Sequence, residues 1–162
     1  MTGSTIRQVR PGSLDDAAVC ADIVAGLPEF FTRDVIDKVR TDVTANDPWV
    51  SVEDGAVAGF AVVRRRRSTV AEILWAAVSA ARRNQGIGTA LIEHVLNELR
   101  GDGVQLVEVK TLDPAARYAP YAATYGFWTA RGFVHVDTID PLPGWEPGNP
   151  CAVLIAALAP TR

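Results

Sequence analysis

Apolar positions recur at two spacings along the chain, and these spacings separate predicted strands from predicted helices. Short apolar or alternating runs predict strands, whereas apolar residues three and four apart predict helices. Strands are predicted at Ile6–Arg10, Trp49–Glu53, Ala56–Val63, Val70–Val78, Leu106–Leu112, Phe133–Ile139 and Cys151–Leu158. Helices are predicted from Ser13 to Ala25, over Arg33–Val43, from Gly88 to Arg100 and from Pro120 to Arg131.

The resulting order, βααβββαβαββ, predicts an α/β (α+β) fold. Asp54-Gly55 is a strong hairpin signal, so the early strands should form an antiparallel half. The strand–helix–strand run from Val70 to Leu112 predicts a right-handed parallel crossover. We therefore expect one mixed sheet with helices on both faces. A chain of 162 residues suits a single domain, 1–162, with a sizeable core.

The segment from Val70 to Arg100 carries the clearest chemical signal. A strand and a helix flank the turn Arg83-Asn84-Gln85-Gly86-Ile87-Gly88, which is basic and contains two glycines. N–H groups at a helix start have no partner within the helix, the helix dipole adds positive potential, and glycines let phosphate oxygens approach the backbone. The turn is therefore predicted to bind a phosphorylated ligand.

Composition restricts the other classes of function. The chain is 48% hydrophobic and 22% charged, as in a globular protein, and its net charge of −3 argues against general nucleic-acid binding. Arg64–Arg67 leaves a nucleic-acid hypothesis open, but a solvated hairpin tip is the favoured interpretation. Cys20 and Cys151 predict free thiols, and the chain shows neither a signal peptide nor a run of transmembrane length, so a cytoplasmic location without membrane contact is expected. His94 and His135 are isolated, and no metal site is predicted.

Three features together resemble the GNAT superfamily, the acetyl-CoA-dependent N-acetyltransferases. The first is Arg83–Gly88 followed by Thr89-Ala90-Leu91, which matches the family's Gln/Arg-x-x-Gly-x-Gly/Ala turn. The second is the aromatic pair Phe127-Trp128 before Gly132-Phe133, and the third is the order of elements. The resemblance implies a central mixed, mostly antiparallel sheet that is splayed in the middle and flanked by about four helices.

The resemblance also implies how acetyl-CoA, as co-substrate, would bind. The coenzyme A diphosphate would take N–H bonds from the turn, with Arg83 adding charge, while pantetheine would pair with the main chain near Ala76 and Val78. Tyr121 and Trp128, on the helix before Gly132, would line the cofactor site. The predicted cofactor-binding residues are Ala76, Val78, Arg83, Asn84, Gln85, Gly86, Ile87, Gly88, Thr89, Tyr121 and Trp128.

Acetyl transfer to an amine needs a base for the ammonium and a proton for the leaving thiolate. Glu72 is the predicted base, because it is the only charged residue in its strand and apolar neighbours would raise its pKa. The alternative is a strand-end glutamate that faces water or pairs with Arg64–Arg67. Many relatives carry a tyrosine where this chain has Trp128, whose indole N–H can donate a hydrogen bond but cannot give up a proton in this role. Tyr125 is therefore the predicted acid and Tyr121 the second choice, unless this aromatic helix face is only packing.

The acceptor site in the family is built by the loop between the first two helices and the loop before the last strand. Here these loops contribute Glu29, Phe30, Phe31 and Trp145 as predicted substrate-binding residues. They favour a partly apolar small-molecule or peptide amine as the acceptor. Separately, the sequence leaves open whether the chain forms a homodimer. The predicted function is N-acetyl transfer in a ternary complex, and the alternative is a non-catalytic acyl-CoA-binding module.

Overall fold

The computed structural model of the chain describes residues 3–160. In this range the chain folds into seven strands and four α helices, in the predicted order. The strands are β1 (Arg7–Pro11), β2 (Asp47–Glu53), β3 (Ala56–Arg67), β4 (Val70–Val78), β5 (Leu106–Leu112), β6 (Val134–Ile139) and β7 (Cys151–Ala157). The helices are α1 (Ala17–Ala25), α2 (Arg33–Ala45), α3 (Ile87–Gly101) and α4 (Ala119–Ala130). None of these helices combines the length and the apolar character that crossing a membrane requires.

The strands form an open, mostly antiparallel sheet with the order β1-β2-β3-β4-β5-β7-β6. The predicted mixed α/β class is therefore confirmed. The chain divides into two compact units, Met1–Arg65 with Ile73–Leu99, and Arg66–Glu72 with Arg100–Arg162. Both β3 and β4 contribute residues to each unit.

The predicted end of β3 is wrong. The sequence predicts a turn at Arg64–Arg67, but β3 continues to Arg67 and the chain reverses at residues 68–69. The four arginines are exposed, so the longer strand leaves no cation in the core. Arg65 Nε lies 3.0 Å from Asp47, and Arg66 contacts Glu72.

The core of the first unit lies where α1 and α2 pack with β2 and β3. In α2 the predicted apolar stripe is confirmed, because Val35, Val39 and Val43 are buried and Ile36 is partly buried. The helices and strands together bury one cluster, which comprises Cys20, Ile23, Val24, Leu27, Val35, Val39, Val43, Val50, Phe60 and Val62.

In the second unit, β7 is the central strand and pairs antiparallel with both β5 and β6. The β6–β7 register shifts between His135 and Asp137, so the alternation of β6 side chains between the two faces of the sheet is interrupted there. The buried side chains of this unit include Val107 and Val109 of β5, Leu154 of β7 and Trp128 of α4.

Candidate active site

The predicted phosphate turn is held against the sheet by a close backbone approach. A Cβ on Gly59 of β3 would lie 3.2 Å from the carbonyl of Ala77 and 3.3 Å from the side chain of Ile87. Glycine therefore lets Ile87, the first residue of α3, bury its side chain against the sheet.

Two left-handed residues shape the turn itself. Asn84 has φ 61° and Gly86 has φ 76°, and α3 starts directly after them. The Gly86 carbonyl accepts the bond from the Ala90 N–H at 3.1 Å, which makes Gly86 the residue that caps the helix. Left-handed residues within a turn form a concavity of N–H groups that suits an anion. Arg83, which is exposed, directly precedes Asn84 in this turn.

The structure brings the predicted acceptor loop next to this turn. The Arg83 guanidinium lies over the ring of Phe30, with 4.4 Å from Cζ to the ring centroid. Phe31 contacts Trp75 edge to face at 6.3 Å, and the Trp75 indole N–H donates to Asp42 at 2.7 Å. Glu29 is exposed on the same loop. Phe30 and Phe31 thus make different contacts although they are adjacent in sequence.

Glu72 lies in a cluster of opposite charges. Its side chain is almost fully buried, at 3% exposure, and its two oxygens accept hydrogen bonds from Arg66 at 2.5 Å and from Lys110 at 2.9 Å. The same two cations contact Glu108 at 3.3 and 3.2 Å. Glu72 therefore pairs with the Arg64–Arg67 segment through Arg66, as the alternative prediction had it.

This environment reverses the expected pKa shift of Glu72. Burial raises the pKa of the carboxyl, but hydrogen bonds and charges from Lys110 and Arg66 outweigh it, so the net pKa lies below its ordinary value. The prediction of a raised pKa is wrong. The assignment of Glu72 as general base remains a prediction.

Tyr121, Tyr125 and Trp128 all lie on α4, as predicted. The buried ring of Trp128 contacts Phe127 and Phe133, each at 5.1 Å between centroids. Tyr121 lines a shallow cleft together with Asp113 and Tyr118. Burial, followed by the charge of Tyr118, raises the pKa of Tyr121 to about 12, so its phenol is a weaker proton donor than a free one.

Tyr125 begins a chain of hydrogen bonds within the second unit. Its hydroxyl lies 3.1 Å from His135 Nδ1, and His135 Nε2 lies 2.8 Å from Thr138 Oγ1. The Thr138 hydroxyl donates to Asp113 Oδ2 at 2.7 Å. His135, expected to be isolated, therefore joins the predicted acid to a carboxylate.

Asp113 sets the direction of this chain. Hydrogen bonds from the Ala115 N–H and Thr138 lower the pKa of Asp113, so it is an ionised acceptor at neutral pH. Because Thr138 donates to Asp113, its oxygen accepts from the His135 Nε2–H. A neutral imidazole then accepts a hydrogen bond at Nδ1 from the Tyr125 hydroxyl, which keeps its proton. A protonated one instead donates at Nδ1, which leaves the Tyr125 proton for another acceptor.

The remaining predicted residues lie at strand ends and in a loop. Ala76 and Val78 are half-buried in the last part of β4. Trp145 is half-buried in the segment between β6 and β7. Its backbone N–H donates to the carbonyl of Leu142 at 2.8 Å. Among the residues that the structure describes, no group of three or more His, Cys, Asp or Glu side chains could hold a metal ion.

Comparison with known proteins decides the family. A family model described as Acetyltransferase (GNAT) family matches residues 18–127, which is more than half of the chain. The chain belongs to the GNAT acetyltransferase family. A search of curated proteins finds no match.

Solved structures of GNAT proteins share the fold over nearly their whole length. A GNAT-family protein from Desulfovibrio desulfuricans has a TM-score of 0.83 at 22% identity, with 95% of this chain and 100% of that one covered. A GNAT acetyltransferase from Elizabethkingia anophelis, solved with acetyl-CoA bound, has a TM-score of 0.72 at 17% identity, covering 94% and 98%. The ribosomal-protein-S18-alanine N-acetyltransferase of Escherichia coli has a TM-score of 0.76 at 17% identity, covering 97% of each chain.

Sequence reasoning missed two sets of residues in this GNAT chain. Lys110 was not predicted to reach Glu72, although β5 alternates and places Glu108 and Lys110 on one face. The signal for His135, Thr138 and Asp113 was weaker, because a register shift in β6 brings them together. Periodicity alone does not reveal such a shift.

Proposed function

We propose that the protein transfers an acetyl group from acetyl-CoA to a primary amine of a small molecule or a peptide, in one ternary complex. Membership of the GNAT family and the turn Arg83–Gly88 carry this proposal. The donor supplies a thioester whose carbonyl carbon forms a bond to the amine nitrogen as its carbon–sulfur bond breaks. The amine loses one proton and the leaving sulfur gains one.

The residues of the turn fit the phosphates of the donor. The left-handed residues Asn84 and Gly86 leave backbone N–H groups at the start of α3, and Arg83 adds a positive charge. Such a donor set favours a diphosphate over a neutral ligand. We propose that these residues bind the diphosphate and that Ala76 and Val78 bind pantetheine through the main chain.

For the proton of the leaving thiolate, Tyr125 is the proposed donor and His135 its positioning residue. When His135 is protonated, its Nδ1–H points at the Tyr125 oxygen, and the phenol proton is available to another acceptor. Asp113, at 3.5 Å from His135 Nε2, and Thr138, at 2.8 Å, hold the imidazole in this orientation. Glu72 is a poor candidate for the base because Arg66 and Lys110 occupy both of its oxygens. Water is the remaining route for the ammonium proton.

The proposed acceptor contacts are Glu29, Phe30 and Phe31 on one loop and Trp145 on the other. Aromatic rings and a carboxylate together suit a cationic amine on a partly apolar body. One structural neighbour acts on an alanine of a ribosomal protein, and another is an aminoglycoside 6'-N-acetyltransferase. Both amine classes therefore belong in the test.

The test is an amine panel with acetyl-CoA as donor, followed by CoA thiol release and by mass spectrometry of the acceptor. The panel contains aminoglycosides, polyamines, amino acids and peptides with different first residues. A mass gain of one acetyl group on an amine, coupled to thiol release, supports the proposal. Thiol release without an acetylated acceptor would contradict it.

A non-catalytic acyl-CoA-binding module is the second candidate. Two points favour it: Trp128 stands where the family resemblance implies a phenol in many members, and the Glu72 carboxylate is held by two cations. This candidate predicts that CoA binds and that no amine in the panel supports turnover.

A further inference from the structure

A single arginine of β1 contacts both a buried carboxylate and the proposed phosphate turn. The Arg7 Nε–H donates to Glu53 Oε1, and Arg7 Nη2 donates to the carbonyl of Gln85 at 2.9 Å. Arg7 Nη1 lies 3.5 Å from the carbonyl of Gly86. One planar guanidinium thus joins the sheet to two successive carbonyls of the turn.

Glu53 fixes the position of Arg7. The two residues are opposite each other in the antiparallel β1–β2 pair, and Glu53 is buried to 1% exposure. Its second oxygen, Oε2, has no hydrogen-bond partner among the described residues. A buried carboxylate with one bare oxygen is costly unless a cation stays beside it. The strand pairing and the charge therefore hold the guanidinium in place.

Peptide geometry converts this contact into an orientation of N–H groups. In a planar trans peptide the carbonyl and the following N–H point in opposite directions. A Gln85 carbonyl that points at Arg7 therefore turns the Gly86 N–H away from Arg7. In the same way, the Gly86 carbonyl turns the Ile87 N–H away. These two N–H groups belong to the turn proposed to bind the diphosphate.

The turn needs such support because residues 84–86 are exposed and two of them are left-handed. An exposed segment in sparsely populated conformations keeps its shape only when neighbouring groups hold it. We propose that Arg7 and Glu53 are positioning residues that preorganise the Arg83–Gly88 turn for the donor's phosphates. This inference rests on the proposed acetyl-CoA site and adds residues that lie outside the turn and contact it through Arg7.

The test compares two acetyl donors in Arg7→Met and Arg7→Lys. Acetyl-CoA carries the phosphates, whereas S-acetylpantetheine carries the same thioester without them. We expect Arg7→Met to lower kcat/KM for acetyl-CoA about tenfold, because preorganisation is lost, and to leave kcat/KM for S-acetylpantetheine within about twofold. Lysine keeps the charge but lacks the planar fork, so Arg7→Lys should rescue little.

Arg10 supplies a matched control. It lies on the same strand and pairs with the buried carboxylate of Asp16 at 2.9 and 3.1 Å. Arg10→Met should therefore lower the free energy of unfolding by a similar amount. It should leave the donor ratio, defined as kcat/KM for acetyl-CoA divided by kcat/KM for S-acetylpantetheine, unchanged. Glu53→Gln should lower the ratio in the same direction as Arg7→Met.

Three outcomes would overturn the inference. They are an unchanged donor ratio in Arg7→Met, an equal loss with both donors, and a full rescue by lysine, which would mean that charge alone matters. Direct CoA binding, measured by calorimetry, gives a readout that does not need turnover. If wild-type protein binds no CoA, the proposed function fails; if wild type binds CoA and Arg7→Met binds it equally well, only this inference fails.

Discussion

The guanidinium of Arg83 lies over the ring of Phe30, 4.4 Å from its centroid. The sequence predicts that Arg83 meets the cofactor and that Phe30 meets the acceptor, so one contact connects the two proposed sites. An exposed cation–π contact contributes about 0.5–1 kcal/mol and holds the arginine in one orientation. Binding of the donor and the shape of the acceptor loop should therefore be coupled.

Replacing the ring should weaken donor binding through Arg83. We expect Phe30→Leu to raise the Kd for CoA about two- to fourfold, measured by calorimetry. Phe31→Leu is the matched control, since Phe31 contacts Trp75 edge to face. An equal effect of both variants, or no effect of Phe30→Leu, would separate Arg83 from the acceptor loop.

Gly86→Asp should abolish most donor binding. Its φ of 76° disfavours any side chain, and a carboxylate beside the turn repels a diphosphate, so CoA affinity should fall by more than about tenfold. Gly103→Asp is the control, because Gly103 has φ 87° and open space around its Cβ position. Gly86→Ala separates strain from charge, and an affinity for CoA that survives Gly86→Asp would refute the turn model.

Glu72→Gln should affect stability more than it shifts the pH–rate profile. The variant loses a carboxylate that two cations hold, so the free energy of unfolding at pH 7 should fall by about 2 kcal/mol. Because the folded pKa of Glu72 is lowered, the carboxylate adds stability above its ordinary pKa and loses it as pH falls through the folded value. Urea unfolding should therefore show the difference shrinking below about pH 4.

The same variant tests the base assignment. A carboxylate with a lowered pKa is ionised throughout neutral pH, so the rise of kcat with pH should keep its midpoint in Glu72→Gln. A rise that flattens would restore Glu72 as the base. Glu98→Gln, on the exposed side of α3, controls for loss of a carboxylate elsewhere and should leave unfolding unchanged.

Tyr125→Phe should lower kcat about a hundredfold and leave the Kd for CoA unchanged, because the phenol proton is lost without loss of the ring. His135→Gln should lower kcat in the same direction, because the contact of Nδ1 with the Tyr125 hydroxyl is lost. Tyr118→Phe, at the exposed start of α4, serves as the control. Full activity of Tyr125→Phe would assign the proton to solvent.

The fold was predictable because its signals are local. The Asp54-Gly55 hairpin, the α2 stripe and the apolar run of β4 each depend on neighbouring residues, and each lies where it was expected. The end of β3 was missed because a run of four arginines has the same polar sequence pattern in a solvated turn and in a strand whose arginines are exposed. The turn before α3 was likewise recognisable from six consecutive residues.

Most contacts of the site were not predictable, since they join residues far apart in sequence. Arg7 reaches Gln85 across 78 positions, and Lys110 reaches Glu72 across 38. A charged residue in an apolar strand gives no indication whether burial or a cation will control its pKa. For Glu72, two cations outweigh burial, and only the arrangement of strands reveals them.

Both cysteines are fully buried and unpaired. Burial raises the pKa of Cys20 to about 12 and that of Cys151 to about 11, so neither forms a reactive thiolate at neutral pH. Folded enzyme should react with a chromogenic disulfide reagent only after denaturation, when two thiols per chain appear. In assays of the folded protein, coenzyme A release can therefore be followed continuously with that reagent. The thiols of the protein would neither add to the signal nor be modified by the reagent.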